Sequence, residues 1–287
     1  MKINEILSSK GRTLSFEVFP PKTWQSLESV MASTAAIADL KPDYMSVTFG
    51  AGGGRSEYTA AIASHILNMG VTPLAHLTCI SLDRSGVHRL LTDLRDRGIE
   101  NILALRGDIP EGLDRGRAEY KFASELISEI RDFGGFSIGG ACYPEGHPES
   151  PTREADIAAL RHKVASGCQF LTTQMFFDNT AFYRFREELL RVSVTVPIVA
   201  GIMPITSAAQ VEKMIKFSGH ALPKALTEII EKYGADPNSM REAGIDYATR
   251  QIADLYENGQ NYAHVYTMNR PENAAKIRRN LWEYLDI

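Results

Sequence analysis

The chain of 287 residues is 44% hydrophobic, and its 31 Lys and Arg residues against 35 Asp and Glu residues leave a net charge of −4. This length allows a large core, and the lack of a strong basic run argues against a duplex nucleic-acid partner. The start, MKINEILSSKGR, lacks a secretory signal, no long uncharged span could cross a bilayer, and the three cysteines lack CxxC spacing. These features predict a cytoplasmic protein with free thiols.

Eight short apolar or β-branched segments alternate with amphipathic segments along the chain. The predicted strands are LSFEVF (14–19), YMSVTFG (44–50), TPLAHLTC (72–79), NILALRG (101–107), FSIGGACY (136–143), FLTTQMFF (170–177), PIVAGIM (197–203) and AHVYTM (263–268). The predicted helices cover 27–40, 56–69, 84–97, 122–133, 153–166, 180–190, 208–217 and 272–285. A repeat of about thirty residues per unit is what parallel strands with crossover helices require.

Eight such units in a chain of this length fit a closed (β/α)8 TIM barrel better than an open, doubly wound sheet. We expect a single catalytic domain over residues 1–287. The stretch 222–258 carries two helical patterns separated by GADPNS, which predicts an inserted helical pair on the barrel rim before the eighth strand. Active sites of such barrels lie at the C-terminal ends of the strands.

The first strand contains one carboxylate, Glu17, between Phe16 and Val18, and the double proline that follows ends the strand. An edge or surface glutamate is the ordinary interpretation of this position. However, polar residues stand at the ends of the second to sixth and of the eighth predicted strands as well, which indicates that they converge on one mouth. These residues are Thr48, His76, Arg106, Asp108, Tyr143, Glu145, His147, Gln174, Asn269 and Arg270.

Several motifs after the strands have both a structural and a functional interpretation. ALRGD (104–108) is either an ordinary βα turn with a capping aspartate, or a turn whose Gly107 lets a flat ring approach and whose Asp108 faces a developing positive charge. In YPEGHPE (143–149), no second histidine lies at ligand spacing from His147, which argues against zinc. The cationic patch Arg161, His162 and Lys163 is either a solvated helix face or a contact for an anionic cofactor tail. FGAGGGR (49–55) matches neither a P-loop nor GxGxxG, and predicts a flexible loop near a ligand.

Taken in order, SFEVFPPK, SVTFGAGGG, AHLTC, ALRGD, YPEGHPE, TQMFFD, GIMPI and YTMNR resemble methylenetetrahydrofolate reductase of the short bacterial type, without the regulatory domain of the long eukaryotic forms. The resemblance implies a (β/α)8 barrel with non-covalent FAD, NADH or NADPH as hydride donor, and the reduction of 5,10-methylenetetrahydrofolate to 5-methyltetrahydrofolate. It also implies a homo-oligomer with a role in one-carbon metabolism and methionine biosynthesis. No Rossmann fingerprint is present from which to choose between the two nucleotides.

The resemblance also assigns residues by their position in the motifs. Glu17 matches the catalytic acid, and Asp108 matches the residue between flavin and pterin. Met214 stands where the family often has a bulkier apolar group, and methionine adapts its shape. The positions that match flavin contacts are Thr48, Phe49, Ala51, His76, Arg106, Gly107, Asp108, Phe122, Tyr143, His147, Asp156, His162 and Lys163; those that match folate contacts are Glu17, Asp108, Gln174, Gln210, Met214 and Arg270.

The implied reaction explains why these residue types are needed. A flavin carries the hydride that protein side chains cannot carry. The imidazolidine ring of the folate opens to an iminium cation when a proton reaches the departing nitrogen, and a positioned carboxyl group can supply it. We therefore expect Glu17 to be the general acid and Asp108, if ionised, to stabilise the cation.

Other functions also fit a barrel. A zinc-dependent folate-barrel methyltransferase would use Cys79, Cys142 and Cys168 as thiolates, and would be colourless where a flavoprotein is yellow. The same superfamily includes flavin-dependent proline dehydrogenase. Assays of the purified protein with methylenetetrahydrofolate and with proline would distinguish the two activities. A non-catalytic binding or assembly module is the third alternative, and the intact acid and cofactor positions argue against it.

Overall fold

The eight predicted strands form one closed parallel barrel. The computed structural model describes residues 1–21, 23–49, 56–109, 112, 118–211 and 222–285. Within these ranges, β1 pairs with β8 as well as with β2, which closes the barrel and confirms the predicted fold. The strands are β1 (Thr13–Val18), β2 (Met45–Val47), β3 (Pro73–Thr78), β4 (Asn101–Leu105), β5 (Ser137–Cys142), β6 (Phe170–Thr173), β7 (Ile198–Ile202) and β8 (Tyr262–Tyr266).

Helices surround the barrel, and side-chain caps mark where several of them begin. The carboxylate of Asp83 accepts a hydrogen bond from the Gly86 amide, and the Thr152 hydroxyl accepts one from the Ala155 amide. A further helix begins at residue 208 and is described as far as residue 211. The described α-helices are Ile3–Ser9, Leu27–Ala38, Ser56–Asn68, Arg84–Asp96, Ala123–Phe133, Arg153–Ala165, Asn179–Arg191, Lys224–Tyr233, Pro237–Glu257 and Pro271–Asn280. None of these helices is long and apolar enough to cross a membrane.

The N-terminal helix, which the sequence analysis did not predict, closes the bottom of the barrel. Its side chains Ile3, Ile6 and Leu7 are buried in one apolar cluster with the inward-facing side chains at the lower ends of the strands. The Ile3 amide donates to the Asn101 side-chain oxygen at 2.8 Å, and the Tyr262 hydroxyl donates to the Leu7 carbonyl at 2.6 Å. The barrel interior is therefore sealed from solvent at this end.

Two glycines let large side chains fill the interior. A Cβ atom at Gly139 would lie 2.5 Å from the ring of Phe170, and one at Gly201 would clash with the Thr173 carbonyl and the Tyr266 hydroxyl. These glycines are required by close approach of neighbouring strands rather than by a turn. The large and small residues of β5, β6, β7 and β8 thus fit together across the barrel.

The predicted helical pair before β8 is confirmed as Lys224–Tyr233 and Pro237–Glu257. It packs on the segments that follow β6 and β7, in a cluster that includes Phe177, Ile205 and Leu226. The Tyr247 hydroxyl donates to the Phe177 carbonyl at 2.6 Å. The insertion therefore stabilises the C-terminal rim of the barrel, where the predicted site lies.

We predict that Leu7→Ala lowers the free energy of unfolding by about 2–5 kcal/mol, because Leu7 is fully buried and its truncation leaves a cavity in the plug. Urea denaturation followed by circular dichroism measures this loss. The control is Leu190→Ala, since Leu190 is 57% exposed and its truncation should change stability by less than about 0.5 kcal/mol. Equal effects of the two substitutions would show that the helix does not act as a plug.

Candidate active site

The side chain of Glu17 lies on the floor of the C-terminal mouth and is only 16% exposed. The Ser46 hydroxyl of β2 donates a hydrogen bond to Glu17 Oε2 at 3.2 Å. The Nε2 atoms of His76 in β3 and His264 in β8 lie 3.6 and 3.9 Å from the same oxygen. The strand-end carboxylate is therefore enclosed by polar side chains from three other strands, which an ordinary surface glutamate would not be.

A chain of hydrogen bonds leads from Glu17 into the barrel. Ser46 Oγ lies 3.0 Å from Nε2 of His264, and Ser15 Oγ lies 2.7 Å from Nδ1 of the same ring. Ser15 Oγ is also 3.1 Å from the carbonyl oxygen of Ala263. The two ring nitrogens of His264 are thus both used, one by each serine.

This chain can run in two directions with a neutral imidazole. When Glu17 is ionised, Ser46 donates to it, Nε2–H of His264 donates to Ser46, and Ser15 donates to Nδ1. If the proton of Glu17 sits on Oε2, every donor reverses, and the chain ends with Ser15 donating to the Ala263 carbonyl. The hydrogen-bond chain can therefore be completed by either neutral tautomer of His264.

His76 is a neutral side chain beside the acid. Burial lowers the pKa of His76 to about 4, and this effect outweighs the opposing charge of Glu17. The 3.6 Å approach to Glu17 is therefore not an ion pair, and it is too long for a hydrogen bond. Among the described residues, Nε2 of His76 has no hydrogen-bond partner, so a buried polar atom is available to a ligand in the mouth.

The loops after β4 and β5 are joined by an ion pair. The Arg106 guanidinium donates to both carboxylate oxygens of Glu149, at 2.5 and 2.6 Å. This pairing raises the pKa of Arg106. The rings of Tyr143 and His147 meet edge to face at 4.6 Å within the YPEGHPE loop. The motifs ALRGD and YPEGHPE therefore form one continuous wall of the mouth.

The structure gives a reason for Gly107 that differs from the predicted approach of a flat ring. Its φ is +88°, and a Cβ atom there would lie 2.9 Å from Cβ of Thr78. Glycine is required by this backbone conformation and by the neighbouring strand. Asp108, the next residue, is exposed at the mouth.

The prediction that Arg161, His162 and Lys163 form one cationic surface on helix Arg153–Ala165 is wrong. Arg161 and His162 are exposed, whereas the Lys163 ammonium turns towards the barrel and donates to the Ala141 carbonyl at 2.5 Å. Consecutive helical residues point about 100° apart, so the three side chains cannot share a face. Burial lowers the pKa of Lys163, and the neighbouring Asp156 carboxylate, also buried, opposes this effect.

The remaining predicted residues have varied surroundings. Gln174 follows β6, and its amide oxygen accepts from the Met175 backbone amide at 2.9 Å. The side-chain oxygen of Gln210 accepts from the backbone amides of Thr206 and Ser207 at 2.8 and 3.1 Å, so it serves to cap its own helix. Thr48 is half-buried, and Phe49 packs against the outer core. Phe122 and Arg270 are exposed. Ala51 and Met214 lie outside the described residues.

Three inward-facing residues of this floor were missed by the sequence analysis: Ser15, Ser46 and His264. Ser15 and Ser46 each stand two residues before a predicted site residue of the same predicted segment, Glu17 and Thr48 respectively, whereas the strand of His264 contains no predicted site residue. In a β-strand, residues two apart point to the same face. Polar residues at this spacing in otherwise apolar strands were the available signal.

The cysteines do not favour the zinc alternative. Cys79, Cys142 and Cys168 are buried free thiols in the core between the barrel and its helices, away from the mouth floor. Burial raises the pKa of Cys79 and of Cys168 to about 12, so both are protonated at neutral pH. In the part of the chain that the structure describes, no three His, Cys, Asp or Glu side chains are placed to hold a metal ion.

A closed barrel with an enclosed carboxylic acid and polar loops at its C-terminal mouth defines the class of (β/α)8 barrel enzymes. The model of the methylenetetrahydrofolate reductase family matches residues 2–282. The chain belongs to this family, whose enzymes reduce methylenetetrahydrofolate with a nicotinamide nucleotide.

Individual relatives agree with this assignment. The 5,10-methylenetetrahydrofolate reductase of Pectobacterium carotovorum subsp. carotovorum is 34% identical over 288 residues, which cover 99% of this chain and 96% of that protein. Methylenetetrahydrofolate reductase (NADH) 1 of Arabidopsis thaliana is 31% identical over 98% of this chain, which spans half of the plant protein. A solved structure of an uncharacterized Clostridium thermocellum protein that binds two copies of 5-methyl-5,6,7,8-tetrahydrofolic acid has a TM-score of 0.68 at 14% identity and covers 99% of this chain and 100% of that one. This structural likeness supports the fold.

We predict that buried His76 makes stability depend on pH between about 6.5 and 4. The unfolded chain binds a proton in this range and the folded chain does not, so the free energy of unfolding decreases as pH falls through it. His76→Gln should remove up to about 3 kcal/mol of this decrease, as 1.36 kcal/mol corresponds to one pKa unit.

Urea denaturation at a series of pH values between 4 and 8 measures this dependence. His162→Gln, at an exposed histidine, is the matched control and should keep the wild-type slope. An unchanged slope in His76→Gln would contradict the assignment of a neutral His76.

Proposed function

We propose that this chain, as one catalytic domain, reduces 5,10-methylenetetrahydrofolate to 5-methyltetrahydrofolate through bound FAD, with NADH or NADPH as donor and Glu17 as general acid. The observation that carries the proposal is the enclosure of the Glu17 carboxylate on the mouth floor, with Ser46 as its hydrogen-bond donor. The buried free thiols support a reducing compartment such as the cytoplasm. A homo-oligomer stays a prediction from the family resemblance.

The residues present fit a cofactor of this kind. Near the floor, buried His76 offers a ring nitrogen that has no hydrogen-bond partner within the described residues. Farther out, Lys163 offers a half-buried ammonium suited to the phosphates of FAD, and Arg106, although paired with Glu149, keeps further N–H donors for the polar chain of FAD. We propose that these residues hold the cofactor, together with Thr48, Tyr143, His147 and Asp156. FAD, when bound, supplies the acceptor and donor of hydride that the side chains lack.

Glu17 provides the proton for ring opening. In its protonated form it can donate to a substrate nitrogen in the mouth, since 16% of its side chain remains exposed. Proton loss leaves a carboxylate, to which the Ser46 hydroxyl then donates. The chain of hydrogen bonds from Ser46 through His264 to Ser15 supports this donor and stabilises the ionised acid without requiring a second charge in the barrel.

Asp108 is proposed to stabilise the iminium cation that ring opening creates. It lies at the wall of the mouth next to Arg106, whose guanidinium is already paired with Glu149. Because this cation is engaged, the Asp108 carboxylate keeps negative potential that can act on a positively charged substrate. Gln174 and Arg270, on the rim after β6 and β8, are proposed to contact the folate.

We predict that Glu17→Gln leaves reduction of the flavin by the nicotinamide near normal and slows its reoxidation by methylenetetrahydrofolate by a factor of about 10² or more. Only the folate step needs an acid, and glutamine keeps the shape of the side chain without a carboxyl proton. Stopped-flow absorbance of the flavin follows each half-reaction separately.

The control for Glu17→Gln is Glu187→Gln, an exposed carboxylate on helix Asn179–Arg191 that should change neither half-reaction. Reoxidation of the Glu17 variant at the parent rate would make Glu17 a structural residue. A colourless protein without flavin would instead contradict the cofactor assignment, which separates the two parts of the proposal.

We predict that Lys163→Ala weakens FAD binding by about tenfold, because one charge-assisted contact to an anion is worth at least about 1.4 kcal/mol in a partly dry site. Flavin fluorescence, which rises when FAD leaves the protein on dilution, gives the dissociation constant. Lys224→Ala removes an exposed lysine on the inserted helical pair and should leave the constant unchanged. A full cofactor load with unchanged affinity in Lys163→Ala would contradict this role.

A further inference from the structure

Arg153 links the loop after β5 to two helices. It is the first residue of helix Arg153–Ala165, and its side chain is 28% exposed. A cation in the first turn of a helix is disfavoured by the helix dipole. The stability of the helix therefore does not explain an arginine at this position. The explanation lies in the contacts that its side chain makes.

The guanidinium of Arg153 binds two backbone carbonyls of the YPEGHPE loop. Nη1 donates to the Tyr143 carbonyl at 3.2 Å, and Nη2 donates to the Pro144 carbonyl at 3.0 Å. The Tyr143 carbonyl also accepts from the Gly146 amide at 3.1 Å, which closes the turn of the loop. Gly146 has a φ of +100°, a conformation that L side chains rarely adopt. Arg153 thus holds a turn whose backbone conformation needs support.

Carboxylates fix the position of the guanidinium itself. Nε and Nη2 donate to Glu188 on helix Asn179–Arg191, at 2.8 and 2.6 Å, and Nη1 lies 3.4 Å from Asp156. The guanidinium also lies over the ring of buried Phe185, 5.2 Å from its centre. The planar fork of arginine can make these contacts at once, and the single ammonium of a lysine cannot.

We propose that Arg153 is a positioning residue that holds the loop of residues 143–149 and the Asp156 carboxylate ready for the cofactor. The inference rests on the proposed FAD site, since Tyr143, His147 and Asp156 are its candidate contacts. Because the loop is already ordered without ligand, less conformational entropy is lost when the cofactor binds. Arg153 itself need not touch FAD.

The experiment compares Arg153→Met and Arg153→Lys with the wild-type chain. Both variants should bind FAD about tenfold more weakly. A factor of ten corresponds to about 1.4 kcal/mol, which is near the lower limit of what a hydrogen bond to a charged group contributes. At saturating FAD, kcat should return to within about twofold of the wild type, because the reacting groups are intact. Rescue of FAD affinity by lysine would overturn the proposed role of the fork.

A second measurement does not depend on FAD. Amide hydrogen exchange of the ligand-free protein should be faster at residues 143–150 in Arg153→Met, and unchanged in β1. Unchanged exchange at 143–150, or FAD affinity within twofold of the wild type, would overturn the proposal. If wild-type protein binds no FAD, the proposed function fails, while the exchange result still decides whether Arg153 orders the loop.

Two further variants keep the test decisive. Glu188→Gln weakens the contact that fixes the guanidinium but leaves Arg153 in place, so it tests the proposal even if the Arg153 variants do not fold. The affinity for FAD should fall about threefold. An unchanged affinity would count against the proposal. Arg191→Met breaks the exposed Arg191–Glu187 pair on the same helix, at 3.3 Å, and is the matched control that should leave both measurements unchanged.

Discussion

The alternation of side chains between the inside and the outside of a closed parallel barrel is the constraint on which the site depends. Pairing of β1 with β8 places Glu17 opposite Tyr266 and Ser15 opposite His264. Pairing of β1 with β2 places Glu17 opposite Ser46. A shift of one residue in β1 would turn Glu17 into the outer core and Phe16 into the barrel. The register of these two strand pairs therefore decides whether the protein has an acid at its mouth.

Sealing of the barrel bottom gives the floor its electrostatic character. The N-terminal helix and the side chains of Phe170 and Leu103 fill the lower interior, so the described residues close this end of the barrel to water. In this environment a buried histidine stays neutral, as the lowered pKa of His76 indicates. The hydrogen bonds of His264 with its two serines use both of its ring nitrogens. A floor of polar side chains with a neutral His76 is suited to a single carboxyl group that exchanges one proton.

The loops around the mouth are held by contacts between segments distant in sequence. The Arg106–Glu149 ion pair joins the loops after β4 and β5. The Asn269 side chain makes 2.9 Å hydrogen bonds with both the amide and the carbonyl of Phe19, and so joins the loop after β8 to the loop after β1. The inserted helices support the loop after β6 through Tyr247 and pack against Ile205 in the loop after β7. The mouth is thus braced on several sides by hydrogen bonds to backbone or to charged groups, which keeps candidate ligand contacts in place.

The amino-acid sequence by itself determined the eight strands, the barrel, the inserted helical pair and the position of Glu17 at a strand end, because hydrophobic alternation and proline act locally. It did not determine the helix Ile3–Ser9, which is too short to be stable alone and forms because the barrel buries it. Only the tertiary structure placed His264, 247 residues after Glu17, beside the acid, turned Lys163 inward and placed Arg153 beneath the loop after β5. These positions depend on strand register and helix packing, which bring together residues that no local pattern connects.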